Sequence, residues 1–276
     1  MNKLSTFFKH ISEAAAKQGW DIETAMKQVK SYGVDYVEIQ YGPDFDAEET
    51  GALLERCGMQ TACVCANFDF LNDSRELSAE KYQHVFEAAK KLACSKVLCI
   101  PGMMDEERDH AEQMACFAER ITEMCEAAKA WGITVLVEDF DNEKSPCCKM
   151  ADLKYLLEHV PGLQFAFDTG NFRYCREDLG EAYELLKKYV AHVHLKDRGE
   201  TAPKGESEPD FIRDTAGEPI YTTPVGDGDL KLKMWIRRLI KDGFEGIFVL
   251  EHFGAKDQNA YIRRSAENVI AVMEDI

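Results

Sequence analysis

Four strand-like segments of this chain each end in a side chain that can bind a metal ion or exchange a proton. The clearest is Leu163–Phe172, LQFAFDTGNF, in which an apolar run leads into Asp168 and a Thr-Gly-Asn turn follows. The other three segments are Thr134–Phe140, Val190–Arg198 and Ile247–Phe253, which present Glu138, His194 and Glu251. A short apolar run bounded by turn residues is typical of a buried parallel strand, and the carboxyl ends of such strands carry the chemistry of α/β barrels.

Carboxylates that meet at one rim repel each other, and each is costly to bury unless it is paired or bound to a metal. A divalent cation relieves this repulsion, and oxygen ligands with one imidazole suit Mn²⁺, Mg²⁺ or Co²⁺ better than a thiolate-type zinc site does. We therefore predict that Glu138, Asp168, His194 and Glu251 bind a divalent metal, with Mn²⁺ favoured and Mg²⁺, Co²⁺ or Zn²⁺ as alternatives. For each acid taken singly, the alternative is a rim carboxylate satisfied by hydrogen bonds.

The seventh strand carries two further polar side chains on the face of His194. His192 lies two residues before it and Lys196 two residues after it, so all three point to the same side. We prefer His194 as the ligand because it is nearer the carboxyl end of the strand. Lys196 is predicted to contact a substrate oxygen or phosphate, and pairing with an acid is the alternative.

Other polar residues also lie at or near predicted strand ends. Those predicted to contact a substrate are His10, Asn67, Asn171 and Arg198. Glu38 lies near the end of the second strand, and no role is assigned to it. Asp139 and His252 follow proposed ligands directly, so they are predicted to point toward the helices and to serve packing or salt bridges.

Strand and helix patterns alternate along the whole chain. The predicted strands are Leu4–Phe8, Val34–Gln40, Gln60–Ala66, Lys96–Ile100, Thr134–Phe140, Phe165–Asp168, Ala191–Leu195 and Ile247–Leu250. The predicted helices are Ile22–Tyr32, Glu48–Cys57, Ser78–Ala93, Asp109–Trp131, Met150–His159, Asp178–Tyr189, Leu230–Lys241 and Asn259–Met273. This order predicts a (β/α)8 TIM barrel with eight parallel strands, formed by residues 1–276 as a single domain, and a doubly wound open sheet is the alternative.

The longest irregular segment is Asp197–Asp229, which is rich in glycine, proline and charge. A loop of this length in a compact domain is usually functional or disordered. Because it follows the seventh strand, it is predicted to lie over the catalytic mouth.

Composition narrows the functional classes. The formal net charge is −17 over 276 residues, which argues against nucleic acid or an anionic membrane as a partner. The N-terminal residues lack the pattern of a signal peptide, and no apolar run is long enough to span a membrane. The ten cysteines do not match zinc-ribbon spacing and lie mostly in apolar segments, so we predict reduced thiols and a cytoplasmic protein.

These motifs resemble the xylose isomerase-like barrel superfamily, in particular its sugar phosphate isomerase/epimerase group. The resemblance is most specific in VEDF at 137–140, FDTGNF at 167–172, HVHLKD at 192–197, PVGDGDL at 224–230 and LEHF at 250–253. It implies a divalent-metal site at the barrel mouth, formed by Glu138, Asp168, His194 and Glu251. One departure concerns Asn171, because ketose 3-epimerases of this superfamily have a histidine at that place. The three-metal endonuclease relatives carry additional histidine ligands, and the seven histidines of this chain do not follow that pattern.

The favoured hypothesis is therefore an isomerase or epimerase that acts on a sugar or a sugar-derived ketone through an enediolate. Glu138 and Glu251 are the predicted catalytic acid and base. A lyase or dehydratase acting on a keto-inositol or a 3-keto glycoside is the first alternative, since it begins with the same proton removal. A non-catalytic sugar-binding protein is the second. The predicted partner is a small carbohydrate, with homo-oligomerisation left open and no nucleic acid or membrane.

Overall fold

The computed structural model of the chain describes residues 3–203 and 210–276. Eight parallel strands pair in chain order and close into a barrel, because the last strand pairs with both the first and the seventh. These strands are Lys3–Phe7 (β1), Val34–Gln40 (β2), Gln60–Asn67 (β3), Lys96–Ile100 (β4), Thr134–Glu138 (β5), Gln164–Asp168 (β6), Val190–Gly199 (β7) and Ile247–Glu251 (β10). The (β/α)8 TIM barrel predicted from the sequence is confirmed, and the open sheet is wrong.

Helices surround this barrel and cover its outer face. They are Phe8–Gln18 (α1), Ile22–Ser31 (α2), Ala47–Cys57 (α3), Arg75–Lys91 (α4), His110–Lys129 (α5), Met150–His159 (α6), Leu179–Leu186 (α7), Leu232–Lys241 (α8) and Gln258–Glu274 (α9). Several begin at a capping residue whose side chain accepts a hydrogen bond from a free backbone N–H of the first turn. These caps are Asp21, Asp46, Ser74, Asp109, Asp178 and Asp257. Each cap fixes the residue at which a loop ends and a helix on the outside of the barrel begins.

The helix α1 was not predicted from the sequence. Its buried face contains Ile11, Ala14 and Ala15, which have helical spacing, and it ends at Gly19 in the left-handed conformation. The apolar spacing and the glycine could have indicated it.

The predicted loop Asp197–Asp229 is partly ordered structure. The strand β7 continues to Gly199, and Phe211–Arg213 (β8) and Pro219–Thr223 (β9) form an antiparallel extension on its outer end. Residues 204–209 of the predicted loop lie outside the described residues. Because β9 pairs with the last residues of β7, this extension is joined directly to a barrel strand.

A buried carboxylate stabilises the segment that connects this extension to the helix α8. Asp197 accepts hydrogen bonds from the backbone N–H groups of Arg198, Gly226, Gly228 and Leu230, at distances of 2.8–3.3 Å. A Cβ atom at residue 228 would overlap the Asp197 carboxylate, so this turn requires glycine. The PVGDGDL segment therefore folds around Asp197.

The main core lies between the barrel wall and the helices, while the barrel interior is partly polar. A small interior cluster contains Cys63, Leu98, Ile100, Leu136 and Ala166. All ten cysteines lie in the described part of the chain and are free thiols, as predicted. Across residues 3–203 and 210–276, no helix has the length and apolar character that crossing a membrane requires.

Replacing Asp197 with Ala is expected to lower the free energy of unfolding by about 3 kcal/mol, because several backbone donors lose a buried acceptor. Urea denaturation measures this change. The matched control is Asp275→Ala, which removes an exposed ion pair to Arg237 and is expected to change the value by less than about 0.5 kcal/mol. Equal effects of the two substitutions would contradict the assigned role of Asp197.

Candidate metal centre

The four predicted ligands meet at the carboxyl end of the barrel. Glu138, Asp168 and Glu251 are the last residues of β5, β6 and β10, and His194 lies opposite Asp168 in the β6–β7 pairing. One nitrogen or oxygen atom from each residue lies within 4.8 Å of those of the other three. All four side chains are buried. Three strand ends and an inward position within β7 therefore form one cluster of three carboxylates and one imidazole.

The donor atoms of this cluster fit a divalent cation. Asp168 Oδ1 accepts hydrogen bonds from the backbone N–H groups of Gly170 and Asn171 at 2.7 and 2.8 Å. Its Oδ2 is buried, and it has no hydrogen-bond partner in the described residues. A buried carboxylate oxygen that accepts no hydrogen bond is costly, and a cation held by oxygen and imidazole ligands lowers that cost.

Lys196 supplies a positive charge to the same cluster. Its Nζ lies 2.5 Å from Glu251 Oε1, 2.6 Å from Asn171 Oδ1 and 3.6 Å from Asp168 Oδ2. The side chain is only 5 % exposed. The prediction that it shares the face of His194 is confirmed, and it also pairs with acids, which was the alternative. The ammonium group already lies among the oxygens that would bind a metal.

Burial and mutual repulsion disturb the acids of the cluster. Burial raises the pKa of Asp168 to about 8, and the neighbouring Glu251 and Glu138 also raise it, while Lys196 acts in the opposite direction. Burial likewise raises the pKa of Glu138. Burial also acts to raise the pKa of Glu251, but the charge of Lys196 and the contacts with His194 hold it below its usual value. Additional positive charge is therefore favourable at this rim.

The turn after β6 is fixed by contacts with β7. Thr169 Oγ1 donates to the carbonyl of Lys196 at 2.9 Å and lies 3.0 Å from its backbone nitrogen, from which it accepts. A Cβ atom at residue 170 would come within 2.8 Å of the same carbonyl oxygen, so only glycine allows this approach. The Thr-Gly-Asn sequence thus holds the Asp168 carboxylate in place.

Asp139 has a different role from the one predicted. It is fully buried, and its Oδ1 accepts a hydrogen bond from the backbone N–H of Asp168 at 2.9 Å. Its carbonyl oxygen accepts from Asn171 Nδ2 at 2.6 Å. The predicted packing or salt-bridge role is therefore replaced by support of a proposed ligand. His252 does point to the helices, where its Nε2 contacts Ser265 Oγ on α9 at 2.9 Å.

Glu38 is a buried acid for which the sequence predicts no role. Glu38 on β2 contacts His192 Nε2 at 2.9 Å and His194 Nε2 at 3.1 Å through its Oε2. Burial acts to raise its pKa, but the two histidines prevail and lower the pKa to about 2, so the group is ionised. The pattern of VDYVEIQ indicates that Glu38 points inward. Its partners could not be predicted, because they depend on how the barrel closes.

A cavity of about 410 Å³ opens above the cluster. The predicted substrate contacts Asn67, Asn171, Lys196 and Arg198 line it, together with Glu138 and Glu251. Arg198 is held by Asp141 Oδ2 at 2.8 Å and Thr222 Oγ1 at 3.1 Å. A larger groove of about 820 Å³ lies between α1 and α3, but its lining contains none of the four cluster residues, so we assign the chemistry to the smaller cavity. Gln40 lines both.

The antiparallel extension forms part of the cover of this cavity. Asp210 and Ile212 line it, which confirms the prediction that the segment after the seventh strand lies over the mouth.

The structure does not bring His10 to the cavity. Its side chain is fully buried, it packs against the rings of Phe7 and Phe253, and its Nε2 accepts from the backbone N–H of His252 at 3.1 Å. Phe7 and Phe253 themselves line the cavity, so His10 stands behind its wall. The prediction of His10 as a direct substrate contact needs this correction, because α1 turns its side chain away from the mouth.

A family model described as xylose isomerase-like TIM barrel matches residues 26–272. No curated protein matches the chain. Among solved structures, the probable 3-DHS dehydratase AsbF of Bacillus anthracis is 15% identical with a TM-score of 0.74, and the match covers 97% of this chain and 98% of that one.

Two other solved structures are similar over nearly their whole length. An L-ribulose 3-epimerase is 16% identical with a TM-score of 0.72, covering 100% of this chain and 97% of that one. A xylose isomerase-like TIM barrel protein from Mycobacterium smegmatis, in complex with magnesium, is 16% identical with a TM-score of 0.71, covering 99% and 97%. At these identities the similarity establishes the fold.

Substituting Asp168 with Asn is expected to weaken Mn²⁺ binding strongly, because a direct ligand is lost. Loss of a group that only supports a ligand typically weakens binding by about 10–100-fold, and the expected effect here is larger. Titration calorimetry on protein first stripped with a chelator measures the affinity. The control is Asp141→Asn, which changes a carboxylate of the same cavity that lies outside the four-residue cluster. Unchanged affinity in Asp168→Asn would remove this residue from the metal site.

Proposed function

The chain belongs to the xylose isomerase-like TIM barrel family, and from this membership and the strand-end cluster we propose that it is a divalent-metal-dependent isomerase or epimerase. Its substrate is a sugar or a sugar-derived ketone, and the reaction passes through an enediolate. The observation that carries the proposal is the approach of two carboxylates from different strands to one imidazole. Glu138 Oε1 and Glu251 Oε2 lie 2.5 and 3.1 Å from His194 Nδ1.

Glu138, Asp168, His194 and Glu251 would hold the cation, for which we favour Mn²⁺ over Mg²⁺, Co²⁺ or Zn²⁺. When bound, it supplies the Lewis acidity that makes a C–H bond next to a carbonyl group easier to break. The buried donors of this chain present it with three carboxylates and one imidazole, in keeping with cations that prefer oxygen ligands.

The two glutamates of the cluster carry the proton transfers. In an epimerisation, one carboxylate removes the proton from one face of the carbon next to the carbonyl group, and the other, as a carboxylic acid, returns a proton to the opposite face. In an isomerisation the proton is returned to the former carbonyl carbon, and the hydroxyl proton moves between the two oxygens. Epimerisation needs acid–base groups on the two faces of the substrate, and Glu138 from β5 and Glu251 from β10 would supply them.

The remaining cavity residues bind and orient the substrate. The Lys196 ammonium group lies at the floor of the cavity and stabilises negative charge that develops on a substrate oxygen. Asn67, Asn171 and Arg198 offer donors for hydroxyl groups. A cavity of about 410 Å³ falls within the range of about 300–1,000 Å³ that is usual for small-molecule sites.

A lyase or dehydratase is the second candidate, and Asn171 favours it. Its amide joins two neighbours, since Nδ2 donates to the Asp139 carbonyl at 2.6 Å and Oδ1 accepts from Lys196 Nζ at 2.6 Å. The related 3-epimerases have a histidine at this place, so the chain departs from them at a residue that contacts Lys196 directly. In this reaction a carboxylate removes the same proton, and a hydroxyl group on the β carbon leaves as water after protonation by the other carboxylic acid. The similar fold of the probable dehydratase AsbF is compatible with it.

Solvent exchange is the direct test of the proposed chemistry. Mn²⁺-loaded protein is incubated in D₂O with ketoses, a keto-inositol and a 3-keto glycoside, and mass spectrometry and NMR follow deuterium uptake and products. Deuterium is expected at a carbon next to the carbonyl group, and the products separate epimerisation, isomerisation and elimination. Absence of both exchange and turnover across the panel would contradict the proposal.

The substitution Glu251→Gln is expected to reduce exchange by about 10²–10⁴-fold, because a positioned acid–base group is lost. The rate is measured at saturating Mn²⁺, and circular dichroism checks the fold. The control is Glu267→Gln on the exposed face of α9, which is expected to leave the rate unchanged. A Glu251→Gln enzyme with full activity would remove Glu251 from the catalytic assignment.

Replacing Lys196 with Met is expected to slow proton exchange without weakening Mn²⁺ binding. The exchange rate should fall by about 10²–10³-fold, because a buried positive group no longer stabilises the developing charge. Mn²⁺ binding should persist or become tighter, because the competing ammonium group is gone. Kinetics and titration calorimetry on the same preparation measure both quantities. Loss of metal binding with unchanged chemistry in the metal-loaded fraction would refute this role.

A further inference from the structure

Glu38 lies on the opposite side of His194 from the three carboxylates of the cluster. The acid belongs to β2, whereas His194 belongs to β7, on the other side of the barrel interior. Both side chains have no exposed surface. The Oε2 atom of Glu38 is 3.1 Å from His194 Nε2, while His194 Nδ1 faces Glu138 and Glu251. Each nitrogen of one imidazole ring therefore has a separate set of acid neighbours.

Glu38 Oε2 lies within hydrogen-bond distance of the Nε2 atoms of both His192 and His194, and a carboxylate oxygen between two imidazole nitrogens accepts from both, which places the hydrogen of His194 on Nε2. This arrangement fixes which nitrogen is free to bind a cation, because the Nε2 position is already used. It also fixes the rotation of the ring about its side-chain bonds. Metal-bound histidines generally have such an acceptor on their second nitrogen, which increases the basicity of the ring.

His192 strengthens the same contact. Its Nε2 lies 2.9 Å from the same Glu38 oxygen, and its ring stands 5.2 Å from that of His194 at an interplanar angle of 75°. Two donors from adjacent inward positions of β7 therefore hold one carboxylate oxygen. The other oxygen, Glu38 Oε1, has no hydrogen-bond partner in the described residues, so the histidines alone anchor the acid through its Oε2.

We propose that Glu38 is a positioning residue of the metal centre, which accepts the Nε2 hydrogen of His194 and so presents Nδ1 to the cation. The inference rests on the metal dependence in the proposed function. Glu38 itself is not expected to touch the substrate, since it is not among the residues that line the cavity. A rival arrangement uses Glu38, His192 and His194 as ligands of a second cation, because their donor atoms also lie within 4.8 Å of one another.

Two substitutions at one position separate the positioning role from general damage. Glu38→Met removes the acceptor at similar size, whereas Glu38→Gln keeps one acceptor oxygen and loses the charge. Titration calorimetry with Mn²⁺ is expected to show about 10–100-fold weaker binding in Glu38→Met and an intermediate loss in Glu38→Gln. The control is Asp214→Asn, a buried carboxylate outside the cavity that pairs with Arg176 and is expected to leave the affinity unchanged.

A spectroscopic readout identifies the nitrogen involved. Long-range ¹H–¹⁵N spectra of histidine-labelled, Mg²⁺-loaded protein distinguish a protonated Nε2 from a protonated Nδ1, and the chain has only seven histidines to assign. The wild-type His194 is expected to carry its hydrogen on Nε2. In Glu38→Gln this tautomer should remain, and if Glu38→Met does not fold, the Glu38→Gln protein alone provides the comparison.

The outcomes are distinct. Wild-type protein that binds no Mn²⁺ would overturn both the proposed function and this inference. Wild-type protein that binds one ion, with unchanged affinity in both Glu38 variants, would overturn only the role of Glu38. Binding of two ions per chain, with loss of one in Glu38→Met, would make Glu38 a ligand and reject the positioning role. Weaker binding of a single ion with the Nε2 tautomer in the wild type supports it.

Discussion

The concentration of negative charge at the carboxyl edge of the barrel is the constraint on which the rest of the site depends. Glu138, Asp168 and Glu251 end strands of one closed sheet, so they cannot move apart without opening the barrel. Their neighbours each offer positive charge or a donor: the Lys196 ammonium, the backbone N–H groups after Asp168, and the imidazole of His194. The fold thus creates an electrostatic cost that a bound cation relieves.

Much of the fold and of the cluster was predictable from sequence because both depend on local patterns. Apolar strands with polar last residues placed Glu138, Asp168 and Glu251 at one rim, since parallel strands in a barrel share an edge. The alternation of His192, His194 and Lys196 placed three side chains on one inner face. These inferences needed only the period of a strand and the order of the elements, and the structure brings the same residues together.

What the sequence did not reveal depends on pairings between distant residues. Glu38 and His192 are separated by 154 positions, and no local pattern indicates that they share a hydrogen bond. The support that Asp139 gives to Asp168 similarly follows from the direction of the backbone after β5. His10 was predicted to contact a substrate because it follows the first strand, whereas the helix α1 that contains it places its side chain behind the cavity wall. Antiparallel pairing of β8 and β9 likewise follows from contacts with the end of β7.

The continuity of β7 links the floor of the cavity to its cover. Within ten residues this strand supplies the imidazole of His194 and the ammonium of Lys196, then pairs with β9 beyond the rim. The hairpin of β8 and β9 thereby extends the hydrogen bonding of the sheet beyond the rim of the barrel. Substitution of a lining side chain such as that of Ile212 would change which molecules enter the cavity. The spacing of the proposed metal-binding atoms at the barrel rim would stay the same.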